Sequence, residues 1–252
     1  MILTQLYNQL QVKVYQNRTI MGKAAAADFA QRLRILLDKQ AEVRLVFAAA
    51  PSQNDFLHHL LQQKAIDWPG VVAFHMDEYL GLPADSPQSF QTFLKKRLFD
   101  HLPFKAVHYL DGQAKNTTLA SQQYEQLLQA APIDMIALGI GENGHLAFND
   151  PPVADFADPA WVKVVALDDI CRQQQVNDGA FKILAEVPTH AITLTIPALM
   201  SGRFLYGIVP GERKASAVHR TLHGPITTAC PASILRKHAR AVLYLDELAY
   251  AV

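Results

Sequence analysis

Three observations predict an α/β protein with a doubly wound, mostly parallel sheet and helices on both faces. Strand-like and helix-like patterns alternate along nearly the whole chain. Two runs, Val43–Ala50 and Ile133–Ile140, are almost continuously apolar, as strands covered on both faces must be. The chain has 252 residues, half of them apolar, which is enough for a sizeable core.

The elements follow in order. Gln11–Gln16 alternates polar and apolar residues and reads as a strand. Met21–Lys39 carries apolar residues at helical spacing after an Ala-rich start. Val43–Ala50 is a buried strand, and Ser52 stands where an N-cap for Phe56–Leu61 is expected. Val71–His75 is a further strand. Pro87–Phe99 reads as a helix with Ser86 as its cap, and Asn116–Leu128 as another helix. Ile133–Ile140 is the third buried strand.

In the second half, Trp161–Leu167 and Ala191–Ile196 read as strands of the same design. Arg203–Val209 is a strand leading into a helix from Gly211 to Leu222. Cys230–His238 is a short helix and Ala239–Leu245 a closing strand. No linker, repeat or low-complexity tract divides the chain, so one domain over residues 1–252 is expected. The longest irregular stretch, Gly141 to Ala160, is of the length that usually carries function.

Composition excludes several classes. The 23 basic and 23 acidic residues cancel, and no run of four or more Lys/Arg appears, so a nucleic-acid footprint is not expected. No apolar stretch reaches a membrane span, and Met1–Arg18 lacks the pattern of a secretory signal. Two cysteines, Cys171 and Cys230, cannot build a disulfide framework. A cytoplasmic protein is the expectation.

Ligands of open α/β sheets bind at the carboxyl ends of strands, and three such ends carry candidate residues. Ala48-Ala49-Ala50-Pro51-Ser52 enters a helix, whose N–H groups attract phosphate, although the segment lacks the glycines of a standard phosphate loop. His75-Met76-Asp77-Glu78-Tyr79 sets two carboxylates side by side, where one can poise the other for proton transfer; a solvated turn is the plainer reading. Gly139-Ile140-Gly141-Glu142-Asn143-Gly144-His145 brings a histidine out of a glycine turn, with Asp150 five residues on to orient its ring. A zinc-protease pattern is missing, since no glutamate separates His219 and His223 in the required way, and no Gly-x-Ser-x-Gly elbow occurs.

Phe74-His75-Met76-Asp77-Glu78-Tyr79-Leu80-Gly81-Leu82-Pro83 and Leu138-Gly139-Ile140-Gly141-Glu142-Asn143-Gly144-His145-Leu146-Ala147-Phe148-Asn149-Asp150-Pro151 resemble the glucosamine-6-phosphate deaminases (isomerases), whose superfamily includes the 6-phosphogluconolactonases. The likeness extends to Val209-Pro210-Gly211-Glu212-Arg213-Lys214-Ala215 and Pro231-Ala232-Ser233-Ile234-Leu235. It implies a modified Rossmann-like fold and a reaction without cofactor or metal: glucosamine 6-phosphate and water give fructose 6-phosphate and ammonia. By position, Asp77 would move a proton between C2 and C1, and His145 would assist ring opening. Asn143 and Asp150 would hold and tune that histidine. Lys214 and the segment Ala49, Ala50 and Ser52 would bind phosphate, with Glu78, Gly141 and Gly144 completing the substrate site.

The sequence also departs from the family pattern. Asp150 is one methylene shorter than the family's Glu, Asn143 carries no charge, and the phosphate segment is Ala-rich. The family's phosphate Arg before a Val-Pro pair has no counterpart in Asp178-Gly179-Ala180-Phe181, and Arg172 does not align with it. A galactosamine 6-phosphate deaminase, a lactonase-like hydrolase and a non-catalytic sugar-phosphate sensor are the alternatives. The lactonases typically follow Gly-His-x-Ala with Ser-Leu-Phe-Pro, which this chain lacks. The partner implied is a small phosphosugar; a homo-oligomer is left open.

Overall fold

The computed structural model describes residues 1–83 and 85–251. Eleven strands and eight α-helices alternate among them. The strands are β1 (Leu3–Tyr7), β2 (Leu10–Tyr15), β3 (Val43–Phe47), β4 (Val71–His75), β5 (Asp77–Tyr79), β6 (Ala106–His108), β7 (Met135–Leu138), β8 (Val162–Ala166), β9 (His190–Leu194), β10 (Phe204–Val209) and β11 (Ala241–Asp246). The helices are α1 (Arg18–Leu37), α2 (Asn54–Leu61), α3 (Phe90–Arg97), α4 (Thr117–Gln129), α5 (Asp169–Asn177), α6 (Ile196–Met200), α7 (Ala215–His223) and α8 (Glu247–Tyr250). None of these helices is long and apolar enough to cross a membrane.

The main sheet has eight strands in the order β1-β2-β11-β10-β7-β3-β4-β6. Every pairing is parallel except the terminal β1–β2 hairpin. The chain runs outward from β3 to β4 and β6, then returns to β7 on the other side. That reversal makes a crevice between β3 and β7, the usual place for a ligand.

Alternation along the strands sorts the core into two layers. In β3, Leu45 and Phe47 face one side, where α1, α2 and α3 pack, while Val46 faces the other with α4 and α7. Helix α1 presents Met21, Ala25, Phe29 and Leu33 to the sheet, all fully buried. Its N-terminus is closed by Asn17, whose side chain accepts from the Ile20 N–H.

The structure corrects several expectations. Trp161–Leu167 and Ala191–Ile196 do not join the main sheet. As β8 and β9 they form, with β5, a separate three-stranded antiparallel sheet. Ser52 lies inside a 3-10 turn, Pro51–Gln53, and makes no capping bond. The cap of α3 is Ser89, not Ser86; Ser89 accepts from the Thr92 N–H at 3.1 Å. The helix expected from Gly211 begins as a 3-10 turn, Glu212–Lys214, before α7, and Cys230–His238 is 3-10 in character over Pro231–Lys237. Strands β1 and β6 and helices α5 and α6 have no counterpart in the sequence reading.

Candidate active site

A cavity of about 480 Å³ opens over the crevice at the carboxyl ends of β3, β4, β7 and β10. The connections that leave these four strand ends, together with α5, build its wall. Ala48 to Ser52 come from the end of β3, Met76 and Asp77 from the end of β4, and Gly139 to Glu142 with His145 from the end of β7. Pro210 to Lys214 follow β10, and α5 contributes Gln174 and Gln175.

Asp77 is held by the short strand β5, whose partner Thr193 in β9 fixes its register. Successive strand residues point to opposite faces, so Asp77 and Glu78 part company. Asp77 faces the cavity and is 7% exposed. Burial, reinforced by the nearby Glu78 charge, holds its carboxyl well above the ordinary carboxylate range. Glu78 turns to the N-terminus of α3. Its carboxylate accepts from the backbone N–H groups of Tyr79 (2.9 Å), Phe90 (3.0 Å) and Gln91 (2.8 Å). Glu78 thus caps a helix and does not line the cavity, contrary to the substrate-binding role expected of it.

His145 is placed by the glycine turn after β7. The Gly141 N–H donates to the His145 carbonyl, and the Gly144 N–H to the Gly141 carbonyl, closing the loop on itself. Gly144 has φ +93°, open to glycine at little cost, and it shapes the turn without lining the cavity. Asn143 ties the arrangement together. Its Oδ1 accepts from the His145 N–H at 2.9 Å, and its Nδ2 donates to Asp150 Oδ1 at 2.8 Å.

Asp150 is 1% exposed, and its Oδ1 lies 2.8 Å from His145 Nδ1. The carboxylate, though shorter than the family's Glu, therefore reaches the imidazole. The loop allows this through a tight bend: Leu146 and Asn149 bridge, and Ala147 adopts φ +50°. Burial pushes the Asp150 carboxyl up, but the His145 imidazole, the Asn143 amide and the Cys171 thiol together hold it below the ordinary range. Nδ1 faces Asp150 in this pairing, and the ring borders the cavity.

Of the expected site residues, Asp77, His145, Ala49, Ala50, Ser52, Gly141 and Lys214 border one cavity. Asn143 and Asp150 stand behind His145. Lys214, 8% exposed, reaches the cavity from the 3-10 turn after β10, and burial lowers the pKa of its ammonium. A Cβ on Gly139 would just meet Ser52 Oγ and Gln53 Nε2, so the β3 and β7 connections run close together there.

The sequence reading missed Arg18, Arg213, Gln174 and Gln175, which also line the cavity. The glutamines sit on α5, whose Asp-Ile-Cys-Arg-Gln-Gln-Gln-Val-Asn lacks apolar periodicity. Asp168, accepting from the Cys171 N–H as N-cap, was the one available signal. Arg172 points elsewhere. Its guanidinium donates to the carbonyls of Leu184 (2.9 Å) and Val187 (3.1 Å), fastening α5 to the following turn.

The chain is similar to several known proteins. The family model described as glucosamine-6-phosphate isomerases/6-phosphogluconolactonase matches residues 16–244. A glucosamine-6-phosphate deaminase of Exiguobacterium sp. (strain AT1b) is 38% identical over 190 residues, covering 75% of this chain and 73% of that one. One of Bacillus cytotoxicus is 35% identical over 192 residues, covering 76% and 71%. A solved monomeric glucosamine-6-phosphate deaminase superposes with a TM-score of 0.85 at 26% identity, covering 94% of this chain and 98% of that one. A 6-phosphogluconolactonase of Thermotoga maritima shares the fold, with a TM-score of 0.76 at 20% identity over 94% of this chain and 99% of that one. The chain belongs to the glucosamine-6-phosphate isomerase/6-phosphogluconolactonase family.

Proposed function

We propose that the chain converts a phosphorylated amino sugar, glucosamine 6-phosphate first, with water to fructose 6-phosphate and ammonia. One observation carries this reading. The Asp77 carboxyl and the His145 imidazole, both buried, face one cavity from either side of β3, with the buried Lys214 ammonium on the same wall.

Each step then has a group. Lys214 and the turn at Ala49, Ala50 and Ser52 hold the phosphate, and binding energy at that remote end positions the reacting carbons. His145 delivers a proton to the ring oxygen as the anomeric hydroxyl loses one, giving the open-chain aldehyde. Asp77, as carboxylate, takes the proton from C2 and returns it to C1, while the C1 oxygen gains the proton that the amino nitrogen loses, which leaves a hydroxyl at C1 and an imine at C2. Water adds to C2, the C–N bond breaks, and ammonia departs. Asn143 and Asp150 act through His145, fixing its orientation. The raised pKa of Asp77 suits a group that must both accept and return a proton near neutral pH.

Ammonia release tests the proposal, with glucosamine 6-phosphate and galactosamine 6-phosphate side by side and Asp77→Asn as control. The expected result is release that falls by a factor of about 10²–10⁴ in the variant, the preferred epimer being the one released faster. No release from either sugar, with phosphosugar binding still measurable by calorimetry, overturns the reading in favour of a sensor. Lactone hydrolysis that survives Asp77→Asn would instead favour the hydrolase alternative.

A further inference from the structure

Behind His145 the fold gathers three side chains that the proposed reaction does not use together. We propose that His145, Asp150 and Cys171 form a binding site for a thiophilic divalent cation of the zinc type, and that its occupation reversibly blocks the active site. The inhibitory part rests on the role given to His145 above; the binding part does not.

The ligand set comes first. One nitrogen, one carboxylate oxygen and one sulfur lie within 4.8 Å of one another, all on buried residues. Imidazole, carboxylate and thiolate together suit Zn²⁺ and exclude Mg²⁺ and Ca²⁺, which take oxygen ligands. Three protein ligands leave a fourth position for water from the cavity that His145 borders.

Free lone pairs come second. Asp150 is 1% exposed, and its Oδ2 has no hydrogen-bond partner. Its other oxygen takes the Asn143 amide at 2.8 Å. His145, 8% exposed, sets Nδ1 at 2.8 Å from that same oxygen, but off the line of a hydrogen bond. Asp150 Oδ2 and His145 Nδ1 thus lie buried beside the Cys171 thiol without a hydrogen bond of good geometry, a condition that burial makes costly.

Preorganisation is the third element. Each residue is held in place: His145 by the glycine turn and Asn143, Asp150 by the same Asn143, and Cys171 by Asp168 Oδ1, which accepts from its N–H at 2.6 Å. Drawing the ligand atoms to tetrahedral separations of roughly 3.5 Å asks for side-chain movements of about 1 Å. Charge also balances. The Cys171 S–H proton leaves to solvent as the S–Zn bond forms, so a dication meets one thiolate and one carboxylate, and the buried site is neutral. No electron changes hands. With the metal on Nδ1, the imidazole loses its Asp150 partner and its freedom to pass protons.

The test uses the full-length, untagged, reduced chain after chelator treatment. Equilibrium dialysis with Zn²⁺ is expected to give one ion per chain, unaffected by excess Mg²⁺. Cd²⁺ is expected to give an ultraviolet sulfur-to-metal charge-transfer band. The chain has two cysteines, so a band that persists in Cys230→Ser assigns the sulfur to Cys171 without altering it. Cys171→Ser and Asp150→Asn should lose both signals while keeping the wild-type circular dichroism. A wild-type chain without the band, or a band that Cys230→Ser removes, overturns the site. Ammonia release should fall at least tenfold with Zn²⁺ and return on chelation. Stoichiometric binding that leaves the rate unchanged overturns the inhibitory role. The dialysis and the band read out even if no ammonia is released, so failure of the metal site and failure of the deaminase reading are separable.

Discussion

Gly141 and the imidazole of His145 lie face to face, so close that a Cβ on Gly141 would overlap Cε1, Nε2 and Nδ1 of the ring. The glycine is required here by close approach, since its φ is not in the left-handed region. The ring cannot retreat freely, because Asp150 stands 2.8 Å behind it.

Gly141→Ala should therefore displace the imidazole from the cavity. A shift of about 1 Å is expected to lower kcat roughly 100-fold. KM should change little, because Lys214 and the Ala49–Ser52 turn are untouched. Steady-state ammonia release measures both. A variant with wild-type kcat would show that the ring position does not matter.

Asp77 must be a carboxylate to take a proton, so activity falls as pH drops through its pKa. Burial and the Glu78 charge hold that pKa well above the ordinary range. The acid limb of kcat/KM should accordingly sit well above the usual carboxylate value of about 3.9. Removing the neighbouring charge with Glu78→Gln should move the limb to lower pH. A limb that stays in place across the two proteins would exclude Glu78 as a contributor.

Arg44, the second residue of β3, is 5% exposed. Its guanidinium donates to the carbonyls of Leu127, Leu128 and Ala131, the open C-terminal end of α4. Arg44→Met orphans these carbonyls, and a loss of about 3 kcal/mol is expected in urea unfolding. Arg44→Lys should recover only part of this, because one ammonium lacks the fork that spans several acceptors. Equal stability of the Met variant and wild type would refute the account.

His75 is fully buried, and its Nε2 accepts from the Leu110 N–H at 2.7 Å. Burial lowers its pKa from 6.5 to about 3. Below pH 6.5 the unfolded chain takes up a proton that the folded chain refuses until about pH 3. Stability is thus lost as pH falls across that window, at a limiting slope of about 1.4 kcal/mol per pH unit. His75→Gln removes this titration while leaving an acceptor for Leu110. Chemical denaturation at several pH values should show a shallower acid dependence for the variant; identical slopes would locate the acid sensitivity elsewhere.

Much of this architecture was legible in the linear chain. β4 appears with the bounds read from its apolar run, and α4 lies within one residue of the helix read over Asn116–Leu128, with Asn116 as its N-cap. Such features are local: periodicity records which face is buried, and a capping residue acts within one turn. Asp77 and His145 stood out because both lie just past apolar runs, where an α/β sheet places its ligands.

Other features depended on distance across the fold. Periodicity carries no strand direction or pairing, so β8 and β9 read like members of the main sheet although they pair antiparallel with β5. Helix α5 has too little apolar periodicity to be seen, and with it Gln174, Gln175 and Cys171 were unplaced. Glu78 adjoins Asp77 in sequence, yet the strand sends it to the opposite face to cap α3.

The sequence by itself determined the fold class, because the alternation of strand and helix patterns is read along the chain, and it marked Asp77 and His145 as candidates because each lies just past an apolar run. Only the tertiary structure decided that Asp150 reaches His145 and that Cys171 joins them. Cys171 belongs to a separate segment, α5, and the Asp150–His145 separation depends on the bend of the loop between them, which periodicity does not record.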